Sequence, residues 1–362
     1  MGCKTAIVNL KEDAFSAGKP LMLHELLFCP ILTWACEELQ SNGVRRFFVV
    51  CDEAWQDAAQ KVLTSVQGVE FFSDAAQAVK AAKGETVVLP SAVVPMHSFA
   101  GSPIYAAQST DIDAANLAKA PETCSHPLDW MPLTGMKELQ RAASLCRELI
   151  NARFMANGVT IVDPATTYID PRCRVAAGTV LLPGTILRGR TVIGADCEIG
   201  PNSMIRDCTV GDGTTVNASQ LNESTVGSHT SVGPFAYIRP NCRIGDHCRI
   251  GDFVEMKNST VGNGTKVSHL TYVGDSDVGE EVNFGCGTVT SNYDGKKKYR
   301  CTIGDHVFLG CNTNLVAPVT VEDGAYTAAG STITEDVPAD ALAVARSRQT
   351  NKPHWAEEFR QK

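Results

Sequence analysis

The sequence predicts an α/β unit at the front and a triangular β-solenoid behind it, joined by one helix. Three observations carry that prediction. Short apolar runs alternate with helical stretches over residues 1–130, and a single long apolar stripe follows. From Ile169 onward, a branched apolar residue recurs every six positions.

In the front segment, Ala6-Ile7-Val8, Phe47-Phe48-Val49-Val50 and Val87-Val88-Leu89 read as strands. Ile31 to Leu39 reads as a helix, with Gly43 where a C-cap belongs. Strand, helix and strand at this spacing make a parallel α/β sheet. From Tyr105 to Asp129 the pattern dissolves and reads as a loop or linker. Residues 134–158 form the connecting helix: Thr134 can cap it, and Gly158 ends it. Between them Met136, Leu139, Ala143, Cys146, Ile150 and Phe154 fall at three- and four-residue intervals.

Behind the helix, Ile169, Val175, Leu181 and Leu187 are spaced by six, and the series runs through Ile238, Ile244, Ile250 and Met256 to Ile333. Slips of five occur at Ile205–Val210, Met256–Val261 and Val273–Val278. A period of six suits neither a helix nor an amphipathic strand. It suits a coil of three short strands that turns a corner after each hexad. Positions 18 apart then stack on adjacent rungs, roughly 4.8 Å apart. Such a prism has three flat sides and unpaired ends, which favours association with further copies. Cys173, Cys197, Cys242 and Cys248 occupy the fifth hexad position, where a small residue packs.

Composition narrows the function. The chain has 32 basic and 40 acidic residues, a balance of −8, which argues against a nucleic-acid binder acting through net charge. No apolar run reaches bilayer length and no signal peptide layout opens the chain, so a soluble, cytoplasmic protein is expected. The 14 cysteines are scattered with no C-x-x-C pair, which reads as reduced, mostly buried thiols.

Arg239 and Lys257 stand at corner positions that elsewhere hold Gly, Ala or Asp, and 18 residues separate them. Two stacked cations repel unless an anion bridges them, which points to a phosphate site; the alternative is a solvated charged edge. His269 and Tyr272 follow, then Asn283, then a break in register over residues 285–302 bearing Asn292, Tyr293 and three lysines. A loop extruded from a solenoid is where specificity concentrates. His229, His247 and His306 sit in Gly-Ser-His and Gly-Asp-His turns, which read as solvated corners rather than a zinc site, and no metal is expected.

Over these residues the sequence resembles a bacterial bifunctional family: glucosamine-1-phosphate N-acetyltransferase fused to N-acetylglucosamine-1-phosphate uridyltransferase, which makes UDP-N-acetylglucosamine. The resemblance runs through Gly233-Pro-Phe-Ala-Tyr-Ile-Arg-Pro, Gly251-Asp-Phe-Val-Glu-Met-Lys, His269-Leu-Thr-Tyr-Val-Gly-Asp and Thr290-Ser-Asn-Tyr-Asp-Gly. It continues through Leu315-Val-Ala-Pro-Val-Thr-Val to the Arg-Gln-Thr tail near Arg346. It implies a left-handed parallel β-helix over 159–345, a tail over 346–362 and a homotrimer with sites between subunits. Acetyl-CoA is the implied co-substrate, and no metal is required.

By position, the resemblance assigns Arg239, Lys257, Tyr272, Asn283 and Lys298 to the sugar phosphate, and His269 becomes the general base. Cys286, Asn292, Tyr293, Cys311, Ala329 and Arg346 would contact acetyl-CoA. The family has Ala at the Cys286 position and commonly Ser at that of Cys311. Glu255, two residues before Lys257, is the expected orienter of the imidazole. Gly285-Cys286-Gly287 offers a backbone approach for a developing oxyanion.

Residues 1–130 are similar to a shortened version of the family's Rossmann-like nucleotidyltransferase domain. In Lys19-Pro20-Leu21-Met22, the family's catalytic lysine position is Leu21. Asn9 to Ser16 stands where the glycine-rich phosphate loop belongs, and no acidic residue lies between Thr86 and Thr110 to hold magnesium. Without cradle, lysine or metal ligand, phosphoryl transfer loses its charge stabilisation, so uridyltransferase activity is expected to be absent. The expected function is acetyl transfer to glucosamine-1-phosphate. The alternatives are a non-enzymatic trimer that binds a nucleotide sugar or a protein, and transfer to a different amino sugar.

Overall fold

The computed structural model describes residues 2–11, 15–16, 19–96 and 102–360. Contacts divide the chain into two compact units. The first holds Met1–Ala156, Pro164–Cys173 and Leu187–Gly189; the second holds Asn157–Asp163, Arg174–Ile186 and Arg190–Lys362.

The first unit is built on a five-stranded sheet in the order Tyr105–Gln108, Glu85–Leu89, Thr5–Asn9, Arg46–Val50, Val69–Phe72. Four strands are parallel, and Tyr105–Gln108 runs antiparallel at one edge. Near-continuous apolar runs make these strands, because a parallel sheet is covered on both faces. Ile7, Phe48 and Val88 are fully buried in the resulting core.

The stretch from Tyr105 to Asp129 is not the expected linker. Tyr105 is fully buried, its hydroxyl donates to Leu117 O at 2.9 Å, and Ala106 bridges to Ser125. An edge strand of only four residues, followed by irregular chain, leaves too little periodicity to read.

The long helix spans Met136–Ala156, so Gly135 rather than Thr134 precedes it, and Leu139 N donates to Gly135 O. Asn151 Nδ2 donates to the carbonyls of Pro164 and Thr167 at 3.0 and 3.2 Å. Leu21 lies fully buried in the short turn Leu21–Leu23. Of Asn9 to Ser16, where the resemblance would set a phosphate loop, Glu12, Asp13 and Ala14 fall outside the described residues.

The second unit is a three-sided parallel β-helix. One face carries Arg249–Asp252, Lys266–His269, Asn283–Phe284 and Phe308–Leu309; the next carries Tyr237–Ile238, Glu255–Lys257, Tyr272–Gly274 and Val289–Ser291. The third carries Arg243–Ile244, Thr260–Val261, Ser276–Val278 and Cys301–Ile303. The hexad residues point inward: Ile238, Ile250, Met256 and Val267 are fully buried. Each such side chain contributes about 1.5–3 kcal/mol by leaving water, and stacking repeats that gain on every rung. Cys173, Cys197, Cys242 and Cys248 are buried, as small hexad residues should be, and all 14 cysteines are free thiols. No helix among the described residues is long and apolar enough to cross a membrane.

Candidate active site

The corners of the prism aim the polar side chains. Where the second face turns into the third, Arg239 N donates to Met256 O at 2.8 Å and Lys257 pairs with Gly274, so Arg239 and Lys257 stand on consecutive rungs of one edge. The arithmetic of 18 therefore holds at this point. Each cation has a carboxylate: Arg239 Nη1 lies 2.7 Å from Glu255 Oε1, and Lys257 Nζ lies 3.5 Å from Asp275 Oδ2.

Asp275 sits at the corner itself, with φ +47 and almost no exposure. Asn258 Nδ2 donates to its Oδ1 at 2.5 Å, and Asn292 Nδ2 donates to its Oδ2. Burial pushes this carboxyl up, but the Asn258 hydrogen bond and the Lys257 charge outweigh it and hold it below the usual carboxylate range. Lys298 reaches Lys257 from the loop, and that contact holds Lys298 below the usual lysine range. Tyr272 folds along the same face, its hydroxyl filling the space that a Cβ on Gly274 would take. Three cations and a phenol thus converge on one edge.

The edge between the first and second faces carries the imidazole. His269 pairs with Asp252 in the strand register, and its Nδ1 lies 2.6 Å from Asp252 Oδ1. A carboxylate can only accept, so Nδ1–H donates and Nε2 is left as an acceptor. That hydrogen bond also holds Asp252 below its usual range. Above His269 the same corner position holds Cys286, Cys311 and Ala329. Gly287 N donates to His269 O at 3.4 Å, Asn312 N to Cys286 O at 2.8 Å and Gly330 N to Cys311 O at 2.8 Å. Arg346 extends this edge, its Cδ near the space above Gly330. Asn283 lies on the first face, between Lys266 and Phe308 in register.

The loop that breaks the hexads is a tight turn. Tyr293 bridges to Lys298, its hydroxyl donates to Gly295 O at 2.7 Å, and Asp294 accepts from Lys296 N and Lys297 N. Arg300 clamps the loop's far end through Asp277 at 2.6 and 2.9 Å and Asn258 O at 3.0 Å.

The structure sorts most of the expected residues into two groups within one chain, with Asn283 at neither edge. Arg239, Lys257, Tyr272, Lys298, Asn292 and Tyr293 gather at one edge; His269, Cys286, Cys311, Ala329 and Arg346 gather at the other. Glu255 does not orient His269. Its carboxylate is held by Arg239, and Asp252 takes the imidazole instead. Sequence reasoning missed Asp252 because the slip of five at Met256–Val261 shortens this coil to 17 residues. Counting back 18 from His269 lands on Gly251; counting back 17 finds the carboxylate. Asp275 was within reach as well, as an acidic residue at a corner directly after a glycine.

Of the other histidines, His229 and His247 stack at 5.3 Å between ring centroids. Among the described residues, no group of three or more His, Cys, Asp or Glu side chains is placed to hold a metal ion.

Comparison with known proteins places these edges in context. Residues 223–258 and 300–335 match the family of bacterial transferase hexapeptides (six repeats). The chain is 58% identical over 221 residues to the bifunctional protein GlmU of Caldanaerobacter subterraneus subsp. tengcongensis, covering 61% of this chain and 48% of that protein. It is 54% identical over 219 residues to the bifunctional protein GlmU of a Geobacillus species, covering 60% and 48%. The chain thus spans about half the length of the curated relatives it matches. Among solved structures, an Arabidopsis UDP-N-acetylglucosamine acyltransferase aligns at 13% identity over 50% of this chain and 70% of that one, with a TM-score of 0.43. The resemblance read from the motifs is borne out by these matches, and the solenoid is a three-sided parallel β-helix in which residues 223–258 and 300–335 match the hexapeptide-repeat model.

Proposed function

We propose that this chain is an acyltransferase that moves acetyl from acetyl-CoA to the amine of glucosamine-1-phosphate, and that it has no uridyltransferase activity. The observation that carries the reading is the pairing of stacked cations at one edge with an imidazole–carboxylate pair at the next, in a chain this similar to GlmU proteins. In the proposed reaction, Arg239, Lys257 and Lys298 neutralise the sugar phosphate, with Tyr272 and Asn283 completing its contacts. Nε2 of His269 takes the proton from the ammonium, freeing the lone pair. The amine attacks the thioester carbonyl, the C–N bond forms, the C–S bond breaks and coenzyme A leaves as its thiol.

Gly285 N and Gly287 N already donate, to Leu309 O and His269 O, which leaves the N–H of Cys286 as the donor for the oxyanion. The acetyl-CoA contacts are those implied for Cys286, Asn292, Tyr293, Cys311, Ala329 and Arg346. Because the two groups occupy different edges of one prism, the site is assembled between subunits of a homotrimer. The cation edge of one copy faces the imidazole edge of the next. Phe235, Phe253 and Leu270, each more than half exposed in a ladder beside His269, support that association.

The test measures thiol release from acetyl-CoA with and without glucosamine-1-phosphate. Release that depends on the sugar phosphate supports the reading. Release with other phosphorylated amino sugars only would move the acceptor, and none with any of them would leave a binding protein.

A further inference from the structure

We infer that Asp275 is a positioning residue that ties the acceptor-phosphate cation Lys257 to the donor-side loop through Asn292, so that the two substrate subsites are mechanically coupled. The inference rests on the acetyltransferase reading above.

The corners of this solenoid have a common way of using aspartate. Asp212 accepts from Ala195 N at 2.7 Å, Asp246 from Ser228 N at 2.6 Å, Asp305 from Glu280 N at 2.8 Å and Asp323 from Asp305 N at 2.8 Å. Each closes a turn by satisfying a backbone donor one rung away, and each is a structural device. Asp275 differs: its carboxylate is held by three side chains, Asn258, Asn292 and Lys257. Burying a carboxylate is costly unless it is fully bonded, and a turn alone needs no such group.

The placement explains the choice. Asn258, Asp275 and Asn292 succeed one another at intervals of 17 on one corner, so the carboxylate is held from the rung below and the rung above. Its Oδ2 serves both Asn292 and Lys257. A shift of Asn292, at the root of the loop, therefore moves the atom that holds Lys257. Lys298, on that loop, crowds Lys257 with a second positive charge. The Asp275 charge is what allows both ammonium groups to stand together before a phosphate arrives.

The experiment titrates glucosamine-1-phosphate and coenzyme A separately, by calorimetry, into the full-length wild type, Asp275→Asn, Asn292→Ala and the double variant. Asp275→Asn should weaken both ligands by about tenfold or more. Asn292→Ala should weaken glucosamine-1-phosphate binding in the wild-type background and leave it unchanged when Asp275 is already Asn. A merely structural Asp275 would lower the melting temperature with both affinities intact, which overturns the inference. Should Asp275→Asn fail to fold, Asn292→Ala alone decides: sugar-phosphate affinity within about twofold of wild type also overturns it. If the wild type binds both ligands and the variants change neither, only this inference falls. If the wild type binds neither, the acetyltransferase reading falls with it.

Discussion

His269 Nδ1 stands 2.6 Å from Asp252 Oδ1, on consecutive rungs of the same edge of the β-helix. The contact fixes the tautomer, because Nδ1–H must donate and Nε2 is then free to accept a proton. Replacing His269 with Ala should cut turnover by about 10²- to 10⁴-fold, read as coenzyme A thiol release, with little change in melting temperature. In Asp252→Asn the amide can donate to Nδ1, which leaves the ring proton on Nε2, the wrong tautomer for a base. Its turnover should fall by about tenfold or more, with KM for the sugar phosphate nearly unchanged. A variant of either kind at near-full rate would remove the imidazole pair from the mechanism.

Lys257 and Arg239 meet the acceptor's phosphate in this reading, so their loss should show in binding. Lys257→Ala removes one charge-assisted contact and should raise KM for glucosamine-1-phosphate by about 10- to 100-fold. KM for acetyl-CoA should rise far less. Equal effects on both substrates would place Lys257 outside the phosphate subsite.

Gly274 is small because the Tyr272 hydroxyl occupies the space above it. Gly274→Ala should push the phenol off the cation edge, and the flexible end of the tyrosine can yield without unfolding the coil. Steady-state kinetics should show KM for the sugar phosphate rising by about two- to tenfold, the worth of one hydrogen bond. An unchanged KM would mean that the phenol makes no contact with the acceptor.

The clamp between Arg300 and Asp277 sets a pH dependence. The Arg300 hydrogen bond holds the Asp277 carboxyl below its usual range. A carboxyl with a depressed folded pKa contributes stability above its unfolded value of about 3.9, and loses it as pH falls through the folded value. Asp277→Asn should therefore lower the melting temperature at pH 7, modestly because the pair is half-exposed, and the gap should close below about pH 4. A gap that persists into acid would assign the effect to packing rather than charge.

In the front unit, Leu21, which the resemblance would set at the family's catalytic lysine, is fully buried. Purified protein given UTP, magnesium and N-acetylglucosamine-1-phosphate should release pyrophosphate only at background. Release above background would show that another group has taken over the charge stabilisation.

Much of the fold was legible because repetition is a strong signal. The hexads named the buried positions Ile238, Ile250 and Met256, and the spacing of Arg239 and Lys257 foretold their stacking. The edge strand at Tyr105 was not legible, since one short strand against a sheet carries no period of its own. Nor was the partner of His269 legible. Glu255 and Asp252 are both acidic and both near in sequence, but a one-residue slip puts Asp252 rather than Gly251 against His269, while Glu255 lies on the next face and is held by Arg239.

The order of residues alone determined that a three-sided coil would form and that its polar corners would stack, because branched side chains six apart can all leave water only in such a coil. Tertiary structure decided what each corner group touches. Coil lengths of 17 and 18 residues turn successive side chains differently, and the positive-φ corner at Asp275 aims its carboxylate inward, to be shared among Asn258, Asn292 and Lys257. Directions of that kind arise from packing against the neighbouring rungs, which no spacing along the chain records.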